Sequence, residues 1–409
     1  MAVNLNPPDP KSLREIRGVK LGYAEAGIRK AGRRDLMLMS LAPGSRVAGV
    51  FTRNSFAAAP VRVCREALAA ADSMRALIVN AGNANCGTGE QGLAASRRTC
   101  EAVAAALGCK ASEVLPFSTG VILEHLPVDR IEAALPRCVS SLGDANWADA
   151  AAAIMTTDTV PKAFSRTVEI AGRVVGVTGM AKGVGMLQPN MATMLAFIAT
   201  DAAVSGDMLR RMVQDTADVS FNRVTVDGDT STNDSFVLVA TGGAGTPDIV
   251  SRAAPEYARL YAAVREVATL LAQAIARDGE GATKFITVDV AGAASVADAV
   301  AVARSVANSP LVKTAFFASD PNLGRLIMAV GNAGILELDT SMIDIHIGGV
   351  KVIDRGGRAA TYREEDGARE MKQAEITVLI SLGQGEGSAT VWTCDYSYDY
   401  VKINAEYRT

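Results

Sequence analysis

From Lys182 to Asp201 the chain reads Lys182-Gly-Val-Gly-Met-Leu-Gln-Pro-Asn-Met-Ala-Thr193-Met-Leu-Ala-Phe-Ile-Ala-Thr-Asp201, and this stretch narrows the possible folds more than any other. A polar, glycine-rich turn carrying one lysine runs into an unbroken apolar segment, Met194 to Ala199, which reads as a buried strand. Thr193 stands at its mouth. A hydroxyl there can be a nucleophile only if a base sits beside it. The chain has two histidines, His125 and His346, and neither neighbours a serine, cysteine or aspartate motif. Cutting the chain before Thr193 supplies the base another way, because the new α-amine can take the proton. Ala192–Thr193 is the candidate bond. A polar residue at the edge of a core gives the same pattern.

Strand and helix signals alternate along the rest of the chain, which indicates an α/β or α+β protein. Arg75 to Asn80 is strand-like and leads into a glycine-rich loop, Gly82 to Gly92. A helix then carries Leu93, Cys100, Val103 and Leu107 on one face and stops at Gly108. Val174 to Val177 is a second buried strand. Ser205 can cap a helix whose Met208, Leu209, Met212 and Val213 form an apolar stripe. A long helix from Pro255 to Arg277 ends in the turn Asp278-Gly-Glu-Gly281, which returns the chain to a strand, Phe285 to Val290. Beyond residue 286 the texture repeats on a smaller scale, with a helix from Val296 to Val306 and strands at Ile343 to Ile347 and Ile376 to Leu382.

The 409 residues allow roughly two to three domains. The expected division is a main α/β body (1–285), a smaller C-terminal α/β domain (286–394) and a tail (395–409). That tail is aromatic and strand-like, and should dock on the body.

A net charge of −3 gives no reason to expect nucleic acid or an anionic membrane as partner. No apolar run approaches the ~20 residues that span a bilayer. Met1 to Lys20 lacks the apolar core of a signal peptide, so a cytoplasmic location is expected. Six scattered cysteines without a C-x-x-C pair argue against zinc and against a disulfide framework. Free thiols and no metal are the expectation.

Several motifs carry two readings. Gly87-Thr-Gly89-Glu-Gln-Gly92 matches a dinucleotide fingerprint with Glu113 at ribose distance, yet the strand ends too early for the tight turn that fingerprint needs. A loop closing onto a helix start fits better. Phe117-Ser-Thr-Gly-Val121 reads as a polar turn; its Thr119 hydroxyl and Gly120 N–H can face an oxyanion, or the turn is an ordinary one. Asp227 to Asp234 lacks the glycine and closing glutamate of an EF-hand and reads as a hydrogen-bonded Asx-rich loop. Met155-Thr-Thr-Asp-Thr159 offers hydroxyls to a polar ligand or to water. Lys182 is a carboxylate ligand or a snorkelling charge, and Glu280, between two glycines, can enter a cleft or simply meet solvent.

Taken together, these motifs resemble the ornithine acetyltransferase (glutamate N-acetyltransferase) family of arginine biosynthesis over nearly the whole chain. The resemblance rests on Gly49-Val-Phe-Thr52, Val79-Asn-Ala-Gly-Asn-Ala-Asn-Cys-Gly-Thr88, Ser118-Thr-Gly-Val121 and Met155-Thr-Thr-Asp-Thr159. It continues through Met180-Ala-Lys-Gly183, Met191-Ala-Thr-Met194, Phe221 to Asp234, Asp278-Gly-Glu-Gly-Ala-Thr-Lys284 and Tyr400-Val-Lys-Ile-Asn404. It implies a layered α-β-β-α sandwich of the self-cleaving threonine acyltransferase type and sets the dinucleotide reading aside. It further implies Thr193 as nucleophile, Ala192–Thr193 as cleavage site, and Thr119 with Gly120 as oxyanion hole. Thr156, Lys182, Thr193, Glu280, Asn404 and Thr409 would surround the substrate.

The implied partners are N-acetylornithine, ornithine and glutamate, in an α2β2 assembly of the cleaved segments. No cofactor is implied, although some members also use acetyl-CoA as donor. Two positions depart from the family: Leu123 stands where glycine is frequent, and Leu323 where tryptophan is.

Overall fold

The computed structural model describes residues 2–188 and 194–406. The expected cleavage bond Ala192–Thr193 and the terminal Thr409 lie outside the described residues. Two compact units divide the described residues: Pro7–Asn222 with Asp229–Ile275, and 2–6 with Arg223–Gly228 and 276–406.

Among the described residues the larger unit holds nine strands: β1 (Val19–Ala24), β2 (Leu36–Leu41), β3 (Arg46–Phe51), β4 (Ala76–Asn83), β5 (Val114–Val121), β6 (Lys162–Ile170), β7 (Arg173–Lys182), β8 (Leu195–Thr200) and β9 (Ser235–Ala240). Its main helices are α1 (Ala59–Ala70), α2 (Gly89–Leu107), α3 (Val128–Ser140), α4 (Trp147–Ala153), α5 (Gly206–Val219) and α6 (Pro255–Arg277), which crosses into the smaller unit. The strands form two sheets, in the orders β1-β2-β4-β5 and β3-β9-β8-β7-β6.

The two-residue period of each strand decides the layering. Met37, Met39, Leu77, Val79, Leu115 and Phe117 turn to one side and share a core with Met180, Leu195, Phe197 and Val237 of the second sheet. Phe117 and Phe197 meet edge to face with centroids 5.0 Å apart. Such a pair is worth ~0.5–1.5 kcal/mol beyond its buried area. The alternate residues Leu36, Leu38, Ile78 and Val114 turn outward onto Leu93 and Val103 of α2 and Ile131 and Leu135 of α3. On the far side, Gly179 of β7 leaves room for Val267 and Leu271 of α6. The result is the expected α-β-β-α sandwich.

Within the second sheet β7 pairs antiparallel with β8, from Val177 opposite Thr200 to Lys182 opposite Leu195. β8 then runs parallel to β9.

The smaller unit is one six-stranded sheet built from β10 (Phe285–Ala293), β11 (Asp344–Ile347), β12 (Val350–Asp354), β13 (Gly357–Arg358), β14 (Glu375–Ser381) and β15 (Gly387–Cys394). The helices α7 (Val296–Asn308), α8 (Pro310–Ala318), α9 (Leu323–Gly331) and α10 (Glu364–Met371) also belong to it. Val302, Val306, Phe316 and Leu326 pack with Val288, Ile345 and Ile380 as its core. Glu375, Thr377, Leu379 and Ser381 face water on the other side of β14.

Two local expectations fail. Phe117–Val121 is the end of β5, not a turn. The tail is helical: α11 spans Tyr398–Glu406. Its aromatic spacing looks like strand alternation, but the Ser397 hydroxyl accepts from the Asp399 and Tyr400 N–H groups and starts a helix. Tyr396 and Tyr400, four residues apart, then stack with centroids 4.7 Å apart. Among the described residues no helix is long and apolar enough to cross a membrane.

Candidate active site

The larger unit brings Lys182, Thr119 and Thr156 together. Lys182 is the last residue of β7, Thr119 lies in β5 of the other sheet, and Thr156 follows α4. The Lys182 ammonium is 8% exposed as part of its residue, and donates to Thr119 Oγ1 at 3.0 Å and Thr156 Oγ1 at 2.8 Å. The sheet-to-sheet packing thus places one cation between two hydroxyls.

Beneath the cluster lies an ion pair that sequence reading missed. Lys162, the first residue of β6, donates to Asp158 Oδ1 at 2.8 Å, and neither side chain is exposed. The same carboxylate accepts from Gly183 N at 2.8 Å and from Thr156 N at 3.1 Å. One buried anion therefore fixes Thr156 and the residue after Lys182. Burial alone would push its pKa up. The Lys162 and Lys182 ammoniums and the hydrogen bonds overcome that and hold the Asp158 carboxyl well below the usual carboxylate range.

Gly120 pairs with Gly82 across the parallel β4–β5 edge and has φ +132°. A Cβ at Gly120 would sit 2.2 Å from the Gly82 carbonyl carbon, so no side chain fits. Buried amides hold this edge. Ser118 donates to Asn80 Oδ1 at 2.6 Å, and Asn233 Nδ2 donates to Ala84 O and Ser118 O at 2.6 and 2.9 Å. The crowding of Asn80, Asn83 and Asn85 beside an apolar strand is the only sequence signal for them, since buried amides require partners.

Gly89–Gly92 is already the first turn of α2, and Asn85 Nδ2, from the loop before it, donates to Gly92 O and Ser96 Oγ. Glu113 is likewise used locally, accepting from Lys110 N at 2.8 Å. In the acidic loop Thr230 donates to Gln188 O and Thr232 to Asn233 Oδ1, the hydrogen-bonded arrangement expected of it. All six cysteines are free. Burial raises the Cys100 and Cys138 thiols to about 12, far from a nucleophile's range.

In the smaller unit Glu280 is buried and accepts from Asn404 Nδ2 at 2.9 Å; the same nitrogen donates to Tyr400 O. The expected site residues thus fall into a lysine–hydroxyl group and a carboxylate–amide pair. Thr193, Ala192 and Thr409 stand outside the described residues.

Leu123 follows β5 at φ +66° with its side chain 74% exposed. A left-handed non-glycine residue costs ~1–2 kcal/mol, of which glycine's extra chain entropy offsets ~0.5–1. Leu123→Gly should therefore raise stability by up to about 1 kcal/mol in urea unfolding, and a loss of stability would show that the leucine packs usefully. Leu323, the other departure, opens α9 half-buried against the small-unit core.

The two-sheet sandwich buries a lysine between two hydroxyls, an arrangement whose donors can face developing negative charge. The chain belongs to the ArgJ family, whose model matches residues 20–409. Among solved structures, a chain of arginine biosynthesis bifunctional protein ArgJ from Bacillus halodurans is 40% identical, with a TM-score of 0.50 over 52% of this chain and 98% of that one. A chain of ornithine acetyltransferase from Mycobacterium tuberculosis, solved with ornithine, is 39% identical over 44% of this chain and 93% of that one, with a TM-score of 0.38.

Proposed function

We propose that this protein is a glutamate N-acetyltransferase that moves an acetyl group from N2-acetylornithine to glutamate after cutting itself at Ala192–Thr193. Membership of the ArgJ family carries this reading. The Lys182–Thr119–Thr156 cluster supports it chemically. So does the length of the Bacillus halodurans chain, which is matched over 98% of itself yet spans only 52% of this chain. A segment starting at residue 193 would have about that length.

In maturation, Thr193 Oγ attacks the Ala192 carbonyl carbon, the C–N bond breaks, and an ester with a free Thr193 amine remains. Water then hydrolyses the ester to an Ala192 carboxylate and a free hydroxyl. The small Ala192 side chain leaves room for the attack. In turnover the Thr193 amine, with an ordinary pKa of ~7.7–8.0, takes the hydroxyl proton while Oγ attacks the acetyl carbonyl. The tetrahedral oxyanion accepts from Thr119 Oγ1 and the Gly120 N–H. Because Lys182 donates to Thr119 Oγ1, that oxygen's own hydrogen is free to point at the oxyanion. Collapse expels ornithine, whose α-nitrogen takes the proton, and leaves acetyl-Thr193. The α-amine of glutamate attacks this ester in turn, so the scheme is ping-pong and needs no cofactor.

Ornithine has a cationic tail and glutamate an anionic one. Lys182 is the proposed carboxylate partner, while Glu280 or the Thr409 carboxylate takes the ammonium, with Asn404 beside Glu280. The assembly is proposed as α2β2 and the location as cytoplasmic. The 40%-identical relative is called bifunctional. Acetyl transfer from acetyl-CoA to glutamate is accordingly proposed as a second donor reaction, with labelled acetyl-CoA as its assay.

The deciding experiment follows labelled acetyl from N-acetylornithine. Label should appear on glutamate with parallel-line kinetics; release as acetate at the same rate without glutamate would make the enzyme a hydrolase. Thr119→Val should lower kcat ~10²–10³-fold and Thr119→Ser far less. Equal, small losses in both would remove Thr119 from the oxyanion hole.

A further inference from the structure

Glu280 and Asn404 lie 124 residues apart in sequence, yet meet at 2.9 Å. The segment between β15 and α11 touches the surroundings of both. Asp395 is fully buried: its Oδ1 accepts from Thr283 N and Lys284 N at 2.8 and 2.9 Å, and its Oδ2 from Thr283 Oγ1 at 2.5 Å. These three bonds fix the downstream end of the turn that carries Glu280. Ser397 Oγ donates to Gly281 O at 2.6 Å, directly after Glu280, and accepts from Asp399 N at 3.1 Å and Tyr400 N at 3.4 Å. One hydroxyl therefore joins the Glu280 turn to the first turn of α11, and Asn404 stands one turn further along.

The approach is as close as backbones allow. Gly281 has φ +70°, and a Cβ there would sit 2.4 Å from Tyr400 N. The segment is itself anchored from behind. Buried Lys313 donates to Thr393 Oγ1 at 2.7 Å and to Cys394 O, and lies 4.5 Å from the Tyr396 ring.

We propose that Asp395 and Ser397 are positioning residues, which set Glu280 and Asn404 against each other so that Glu280 can read the terminal ammonium of the donor. This rests on the function proposed above. The two residues touch no substrate atom in this account and act only through the pair.

The test compares kcat/KM for N-acetylornithine with that for N-acetylnorvaline, which lacks the terminal ammonium, in the full-length enzyme. The ratio does not depend on the fraction of enzyme that is folded, so a merely structural defect leaves it unchanged. Glu280→Gln should cut the ratio ~10–100-fold, the loss expected when a hydrogen bond to a charge is weakened. Ser397→Ala and Asp395→Asn should cut it ~3–10-fold, mostly through KM for N-acetylornithine, because small misplacements are costly. Ser397→Thr should restore most of it. An unchanged ratio in Ser397→Ala and Asp395→Asn, with the ratio collapsed in Glu280→Gln, overturns the positioning role alone. An unchanged ratio in Glu280→Gln overturns the recognition role of Glu280 and the proposal with it.

Discussion

Thr193→Ala is expected to yield one uncut chain of 409 residues with no measurable acetyl transfer. In the proposed mechanism the substitution removes the atom that serves both stages: without Oγ no ester would form at Ala192, no free amine would appear, and the acetyl group would have nowhere to rest. Loss of a nucleophile typically costs ~10⁴-fold or more in kcat, with any residue due to binding and the oxyanion donors. Thr193→Ser keeps the hydroxyl and should still give two masses, ending at residue 192 and beginning at residue 193, with slower turnover. Denaturing mass spectrometry reads the first outcome and the labelled-acetyl assay the second. Two masses from the alanine variant, or transfer by its intact chain, would end the threonine mechanism.

Asp158→Asn should be the most destabilising single change near the site. The side chains of Asp158 and Lys162 have no exposure, and removing one charge of such a pair costs ~3–5 kcal/mol. For a unit of this size that is a fall in Tm on the order of 10 °C. Asn keeps an acceptor for Gly183 N, so the loss reports the charge rather than the backbone bond. Adding Lys162→Met should recover part of it, since an apolar replacement of the pair leaves no buried cation. The pH dependence has a definite sign. The folded-state pKa of Asp158 is depressed, so its contribution is fully present above the ordinary carboxylate value of ~3.9 and is lost as pH falls below it. Scanning calorimetry from pH 7 downward should show the wild-type advantage over Asp158→Asn shrinking in acid. A difference under 2 °C at pH 7 would show that this pair contributes little.

How much of this was legible in sequence depended on whether the cause was local. The α6 boundaries at Pro255 and Arg277, the stop of α2 at Gly108 and the Ser205 cap follow from residues adjacent in the chain, and all three stand in the structure. β2, Leu-Met-Leu-Met-Ser-Leu, is a short apolar run whose period alone does not separate strand from helix. Ser118-Thr-Gly120 looks like a turn because its polar groups are satisfied by Asn80 and Asn233, far off in sequence. Asp158 and Lys162 likewise read as ordinary surface charges until the fold covers them. Lys182 and Thr119 were expected at the site, but their mutual hydrogen bond depends on the packing of two sheets and has no local signature.

A cut at Ala192–Thr193 has a consequence that follows from strand order. It falls between β7 and β8, which are paired over six residues inside the sheet β3-β9-β8-β7-β6. β8 and β9 come from the second fragment and lie between β3 and β7 of the first. Severing that peptide bond removes no strand neighbour, so the fragments should elute as one particle and part only in denaturant. Neither fragment contains the whole of this five-stranded sheet. Expressed from separate genes, each would present unpaired edges until it met the other, and folding would become a bimolecular reaction. On the proposed maturation, an intact precursor would avoid that search by keeping both fragments on one chain until the sheet has formed.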